Sequence, residues 1–101
     1  MKNYASFYSL MRHLKKDLPL SHKVHVRRIK MPKNIDGDCG FSNNKFTLRI
    51  ERTLAEFYAI EVLLHEIAHV LAWEKDEDAH GPSWGKSYSK VYRSFLKWNS
   101  L

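Results

Sequence analysis

The sequence predicts an α+β fold: an N-terminal helix, a small antiparallel three-stranded sheet, a long central helix and a C-terminal helix. Three observations carry that prediction. Apolar residues recur at helical spacing over residues 4–17, 53–74 and 82–98, and they alternate with polar ones over 22–31 and 45–51. The strand-like stretches also follow one another directly, whereas a parallel α/β sheet would interleave them with helices. A chain of 101 residues supports one hydrophobic core, so residues 1–101 are expected to form a single domain without a linker.

Asn3 is placed to cap a first helix from Tyr4 to Asp17, in which Phe7, Leu10, Met11, Leu14 and Leu18 form an apolar stripe and Pro19 closes the helix. Arg12, Lys15 and Lys16 fall off that stripe and should face solvent. From His22 to Met31, Val24 and Val26, with Ile29, suggest one buried face, while Lys23, His25 and Arg27 point the other way. Pro32 ends this strand, and residues 34–40, rich in Asp, Asn and Gly, read as a loop. Asn43-Asn44 reads as a tight turn between strands at 40–42 and 45–51, with Phe46, Leu48 and Ile50 sharing a face.

Thr53, with Glu56 three residues on, reads as the N-terminal cap of a long helix running to about Glu74. Leu54, Ile60, Leu63, Leu64, Ile67, Val70 and Leu71 cover a broad face of it, opposite His65 and His69, so the helix should lie on the sheet and turn its histidines out of the core. Gly81 and Pro82 open a last helix to about Trp98, since proline is favoured in a first turn. Along it Lys86, Lys90, Arg93 and Lys97 form one stripe, and Trp84, Tyr88, Val91, Phe95 and Trp98 form the other.

Apolar residues make up 44% of the chain and charged residues 28%, the composition of a soluble globular protein. Its apolar runs are short, and Lys2, Arg12, Lys15 and Lys16 interrupt the N-terminal region, which excludes a signal-peptide core; a cytoplasmic location is expected. Cys39 is the only cysteine, which excludes an intrachain disulfide and a four-cysteine zinc ribbon. The net charge of +6 is unevenly spread, with nine Lys/Arg against Asp17 in residues 1–33 and eight acids against two bases in residues 51–78. A basic surface is the electrostatic footprint of polyanion binding, and it also serves solubility.

The chemistry concentrates in His65-Glu66-Ile67-Ala68-His69. Residues four apart lie on one helix face about 6 Å apart along the axis, so both imidazoles can aim at one point. A zinc ion accepts neutral imidazole, and catalytic zinc sites use three protein ligands while keeping a fourth position for water. Glu66, rotated about 100° from His65, can reach such a water without ligating the metal. For the third ligand, an extended pattern would require glycine at Ala72 and histidine at Lys75, and no Asp or Glu follows Asp78. His80 is the only histidine after His69 and is preferred, with Asp76, Glu77 and Asp78 as rivals.

Gly37-Asp38-Cys39, the alternating Phe46-Thr47-Leu48-Arg49-Ile50, Leu54, the two-histidine helix and His80-Gly81-Pro82-Ser83-Trp84 together resemble the SprT-like zinc metalloproteases, the family of Spartan-type protease domains. The resemblance spans about residues 37–84. It implies a minimal zincin-like metallopeptidase fold, Zn2+ as cofactor, His65, His69 and His80 as metal ligands, and Glu66 as general base. It also brings in action on DNA-associated proteins. No cysteine-rich ribbon follows in this sequence, so any nucleic-acid contact is expected from the basic surface of the domain, with Lys86, Lys90, Arg93 and Lys97 as the candidates for DNA.

Other residues carry plainer readings. Cys39 is expected as a small buried residue beside a strand, and His13, His22 and His25 as surface or satisfied histidines. Glu61 shares the histidine face and could orient a ligand; Tyr88 and Tyr92 could stabilise an oxyanion, though Tyr88 falls on the apolar stripe. The reading is therefore a monomeric zinc metalloendopeptidase that hydrolyses peptide bonds through a zinc-bound water activated by Glu66. Two alternatives stand beside it. One is a zinc-dependent endoribonuclease with a three-histidine site, whose known representatives place about five residues between the second and third histidines where this chain has ten. The other is a nucleic-acid-binding module stabilised by zinc.

Overall fold

The computed structural model describes residues 4–73 and 80–100. The elements run α1 (Ala5–Asp17), β1 (Lys23–Ile29), β2 (Gly37–Ser42), β3 (Lys45–Glu51), α2 (Glu56–Leu71) and α3 (Pro82–Asn99). This is the α+β architecture that the periodicities predict. The stripe on α1 is buried through Phe7, Leu10, Met11 and Leu14, and the helix ends at Leu18, whose extended conformation is the one favoured before Pro19. The expected cap, Asn3, lies outside the described residues; Tyr4 occupies the cap position, and its hydroxyl donates instead to the Arg52 carbonyl at 3.0 Å.

The sheet corrects the antiparallel expectation. Its order is β1-β3-β2, with β2 antiparallel to β3 but β1 parallel to β3, so the sheet is mixed. Both chain reversals read from the sequence occur; what differs is that β3, not β2, sits beside β1. The reason is in the side chains. On the inner face β3 carries Phe46, Leu48 and Ile50, each at most 2% exposed, and burying such side chains contributes roughly 1.5–3 kcal/mol apiece. At the positions paired with Ile50 and Leu48, β2 offers only Gly37 and Cys39, so the richer strand takes the centre and the poorer one the edge. Asn43 and Asn44 have φ of 53° and 58°, the left-handed pair of a two-residue type I′ hairpin turn.

Two boundaries also move. β2 starts at Gly37, inside the stretch read as a loop. Glycine is needed there because a Cβ would lie 2.6 Å from Val62 Cγ1 and 3.1 Å from the Arg49 carbonyl, so close does β2 come to α2. At the start of α2, Thr53 does not cap: its N–H and hydroxyl donate to the Glu51 carboxylate at 2.9 and 2.7 Å, and Ala55 takes the cap position. The expected end at Glu74 lies outside the described residues, and the helix itself ends at Leu71.

Strict alternation on β1 puts Arg28, rather than Ile29, on the inner face with Val24 and Val26, and Arg28 is buried there. Its guanidinium pairs with Glu56 in the first turn of α2 at 3.1 Å, donates to the Leu54 carbonyl at 3.2 Å, and lies 4.3 Å from the Tyr4 ring centroid and 4.7 Å from that of Phe7. One cation thereby joins α1, β1 and the start of α2. The long helix α2 packs against β2 and β3 and against α1 and α3, with Ala59, Leu63, Leu64, Ile67 and Val70 buried. On α3, Val91 and Ser94 are buried, His13 donates to the Ser94 carbonyl at 3.0 Å, and Trp98 donates to Ser9 Oγ at 3.2 Å.

Candidate metal centre

His65 and His69 occupy successive turns in the second half of α2, and His80 stands just before Gly81, the N-cap of α3. The Nε2 atom of His65 lies 3.2 Å from Nε2 of His69 and 3.2 Å from Nε2 of His80. The ligating atoms of all three lie within 4.8 Å of one another. Tetrahedral zinc with bonds of about 2.0–2.1 Å requires ligand nitrogens about 3.3–3.4 Å apart, so the two separations from His65 fit the ion. The donor chemistry fits as well. Three imidazole nitrogens pointed at one another cannot all be satisfied by mutual hydrogen bonds, since each bond needs one proton and one lone pair, whereas a shared cation satisfies all three lone pairs.

The surroundings favour the neutral form of His65 and His69, the form that binds metal. Burial, then the neighbouring His65 and His80, pushes His69 down to about 4, and burial followed by His80 lowers His65. Trp84, one turn into α3, packs its ring against all three, with centroids 5.0 Å from His65, 5.8 Å from His69 and 5.0 Å from His80. Its indole N–H points at the His65 carbonyl at 3.4 Å. In the sequence Trp84 belongs both to the apolar stripe of α3 and to the His80-Gly81-Pro82-Ser83-Trp84 segment, but its packing against all three imidazoles is seen only in the fold.

Glu66 is 7% exposed, yet it lines a cleft of about 590 Å³ together with His65, Gly37, Val62, Trp84 and Tyr88. Burial, and secondarily the charge of Asp38, pushes its carboxyl up to about 7. Cys39 on β2 is half-buried, and burial, then Glu66 and Asp38, pushes its thiol up to about 12. It is thus an unreactive small side chain at neutral pH, as the sequence suggests. Glu61 is exposed and lines the same cleft. Tyr88 stacks between Trp84 and Tyr92, and burial raises its hydroxyl pKa.

Of the residues singled out in the sequence, the fold brings together His65, Glu66, His69 and His80. The rival carboxylates Asp76, Glu77 and Asp78 lie outside the described residues. Lys86, Lys90, Arg93 and Lys97 are exposed along α3, with Lys97 bound to Asp17 at 3.3 Å. Asp36 and Gly37 were missed as parts of the cleft because their placement depends on where β2 lies against α2. Among the described residues no helix is long and apolar enough to cross a membrane. The SprT-like family profile matches residues 5–99 of the chain. No curated protein matches it.

Proposed function

This chain belongs to the SprT-like family, and we propose that it is a zinc-dependent metalloendopeptidase acting on protein or peptide substrates. The observation that carries the reading is the convergence of three imidazole Nε2 atoms beside a buried carboxylate on one cleft. His65, His69 and His80 would hold the ion. Zinc bound there supplies a Lewis acid for the scissile carbonyl and lowers the pKa of water from 15.7 to about 7.

Each remaining task falls to a residue of the chain. Glu66 accepts the proton of the attacking water and returns it to the leaving amine, a role served by its position next to His65 and by its access to the cleft. Ile35, Val62, Trp84 and Tyr88 give the cleft apolar walls against which substrate side chains can pack. β2 is an edge strand whose first residue, Gly37, lines the cleft, so an extended peptide can add to the sheet there through main-chain hydrogen bonds.

The test combines metal stoichiometry with digestion of an unfolded protein. Glu66→Gln should purify with one zinc per chain and lose about 10²- to 10⁴-fold in turnover. Full activity in that variant overturns the role of Glu66. Phosphodiester cleavage by the zinc-loaded protein, with no proteolysis, overturns the peptidase reading.

A further inference from the structure

We propose that the groove between the first half of α2 and the second half of α3 is a substrate subsite, which takes a large apolar side chain of the peptide a few residues away from the scissile bond. The inference rests on the peptidase reading and adds to it the class of peptide preferred. A second cavity, of about 520 Å³, opens there, lined by Phe57 and Ile60 of α2 and by Tyr92, Phe95 and Trp98 of α3. Its volume is that of a ligand pocket. Glu61 and Tyr88 line this groove and also the cleft beside Glu66, so the groove borders the candidate active site at those two side chains.

A ladder of rings along α3 joins the two places. Trp84, which packs on the three imidazoles, stacks on Tyr88 with centroids 5.2 Å apart, and Tyr88 stacks on Tyr92 at 6.3 Å. Phe95 and Trp98 continue the series at 5.8 and 6.1 Å. The rings recur every three or four residues, the spacing of one helix face, and so form a continuous aromatic wall from the metal centre into the groove. On α2, Glu61 and Phe57 stand one and two turns before His65, about 6 and 12 Å along the axis. An extended peptide advances about 3.3 Å per residue, so the groove meets side chains about two to four residues from the bond held at the metal centre.

The walls decide what fills it. Phe57 is 68% exposed and Tyr92 43%, beside the partly buried Ile60, Phe95 and Trp98, and contiguous apolar surface of this kind marks a binding groove. The charged lining is acidic: Glu61 is exposed, and Glu56 is paired with Arg28. Among the described residues no Lys or Arg lines either the groove or the cleft. An acidic segment is repelled here, as is an anionic membrane surface. A second copy docking through the same face would bring the Glu61 carboxylates of both chains together. An apolar stretch of substrate reaching in from the cleft meets neither obstacle.

The experiment begins with digestion of an unfolded protein by the zinc-loaded full chain, the cut sites being read by mass spectrometry. Phe, Tyr, Trp, Leu or Met should be enriched, and Asp and Glu depleted, about two to four residues from the cut on one side only. A quenched fluorescent peptide with Phe at that position should then exceed its Ser counterpart about 10- to 100-fold in kcat/KM. Phe57→Ala/Phe95→Ala should bring that ratio below about threefold. If the double variant does not fold, Phe57→Ala, at an exposed position, should still lower the ratio by at least about threefold. Damage to the fold would slow both peptides and leave their ratio, so the ratio isolates the groove. In parallel, NMR titration of the zinc-loaded Glu66→Gln chain with a short Ser/Ala peptide carrying one Phe should shift the resonances of Ile60 and Phe95, and the same peptide with Glu in place of Phe should not. Groove shifts without cleavage of any protein uphold the peptide site and overturn the peptidase reading alone. Cleavage with no apolar preference, or with a preference that survives the double variant, overturns the groove. So do shifts of Ile60 and Phe95 that appear without peptide as dimers form in sedimentation, which would make a second copy the occupant.

Discussion

Replacing Arg28 by methionine keeps the length of the side chain and removes its charge from a site where it is 1% exposed. Two hydrogen bonds of good length vanish, to Glu56 at 3.1 Å and to the Leu54 carbonyl at 3.2 Å; those to the Glu51 and Arg52 carbonyls, at 3.5 Å, are too long to count fully. Bonds involving a charged group contribute about 1.5–3 kcal/mol each, and the contacts with the rings of Tyr4 and Phe7 add about 1 kcal/mol. Offsetting this, Arg28 Nε is buried without a partner, a cost of about 1–3 kcal/mol that methionine relieves. Glu56 is 30% exposed and regains water when its partner leaves. The net loss is about 3 kcal/mol, at the lower end of the range for breaking a buried pair. Urea unfolding at pH 7 and constant zinc measures it, and for a domain of this size Tm should fall by about 12–20 °C. A loss below about 1 kcal/mol refutes the reasoning, because the guanidinium would then be joining nothing that matters. Arg28→Lys should recover only part of the loss, since an ammonium cannot fork between carboxylate and carbonyl.

Acid stability tests Glu51. The Met31 N–H, then the hydroxyl and N–H of Thr53, pull its carboxyl from 4.5 down to about 2. Its folded pKa lies below its unfolded one, so its stabilisation is complete above pH 4.5 and is lost as pH falls to 2; Glu51→Gln should flatten the melting curve in that window, and an unchanged dependence contradicts the assignment. Gly37→Ala places a methyl 2.6 Å from Val62 Cγ1 and should cost about 1–3 kcal/mol, most of it recovered by Val62→Ala; failure of that rescue moves the strain elsewhere. His80→Ala leaves two ligands one turn apart and should weaken zinc binding more than about 100-fold in a chelator competition, beyond the range for removing outer partners of a metal site. Stripping the metal should lower Tm in a concentration-dependent way, by the equivalent of about 4 kcal/mol when free zinc was about 1,000 times Kd.

The parts of this fold that local pattern governs were open to reading from the chain. The stripe of α1, the Asn43-Asn44 turn and the start of α3 at Pro82 depend on spacing and on single-residue conformational preference, and they fall where expected. The candidate metal centre was legible for the same reason, since His65 and His69 are related by helix geometry alone. What escaped was settled by competition between segments. Thr53 looks like a cap until Glu51 captures both of its donors. The pairing of β1 with β3 depends on which strand buries more, a comparison that no single strand contains.

That strand order has a consequence for how the chain reaches its native state. β1 and β2 run in opposite directions and are joined by residues 30–36 alone, so during folding they are free to pair with each other directly, and such a hairpin must open before β3 can enter between them. Early closure of the β2 and β3 hairpin through Asn43-Asn44 removes that competitor, leaving β1 to dock last across a separation from Lys23 to Lys45. Asn44→Gly, which favours the type I′ turn, should therefore speed refolding in stopped-flow measurements, whereas Val26→Ala should mainly speed unfolding. The opposite assignment of the two rates would mean that β1 docks before the turn has closed.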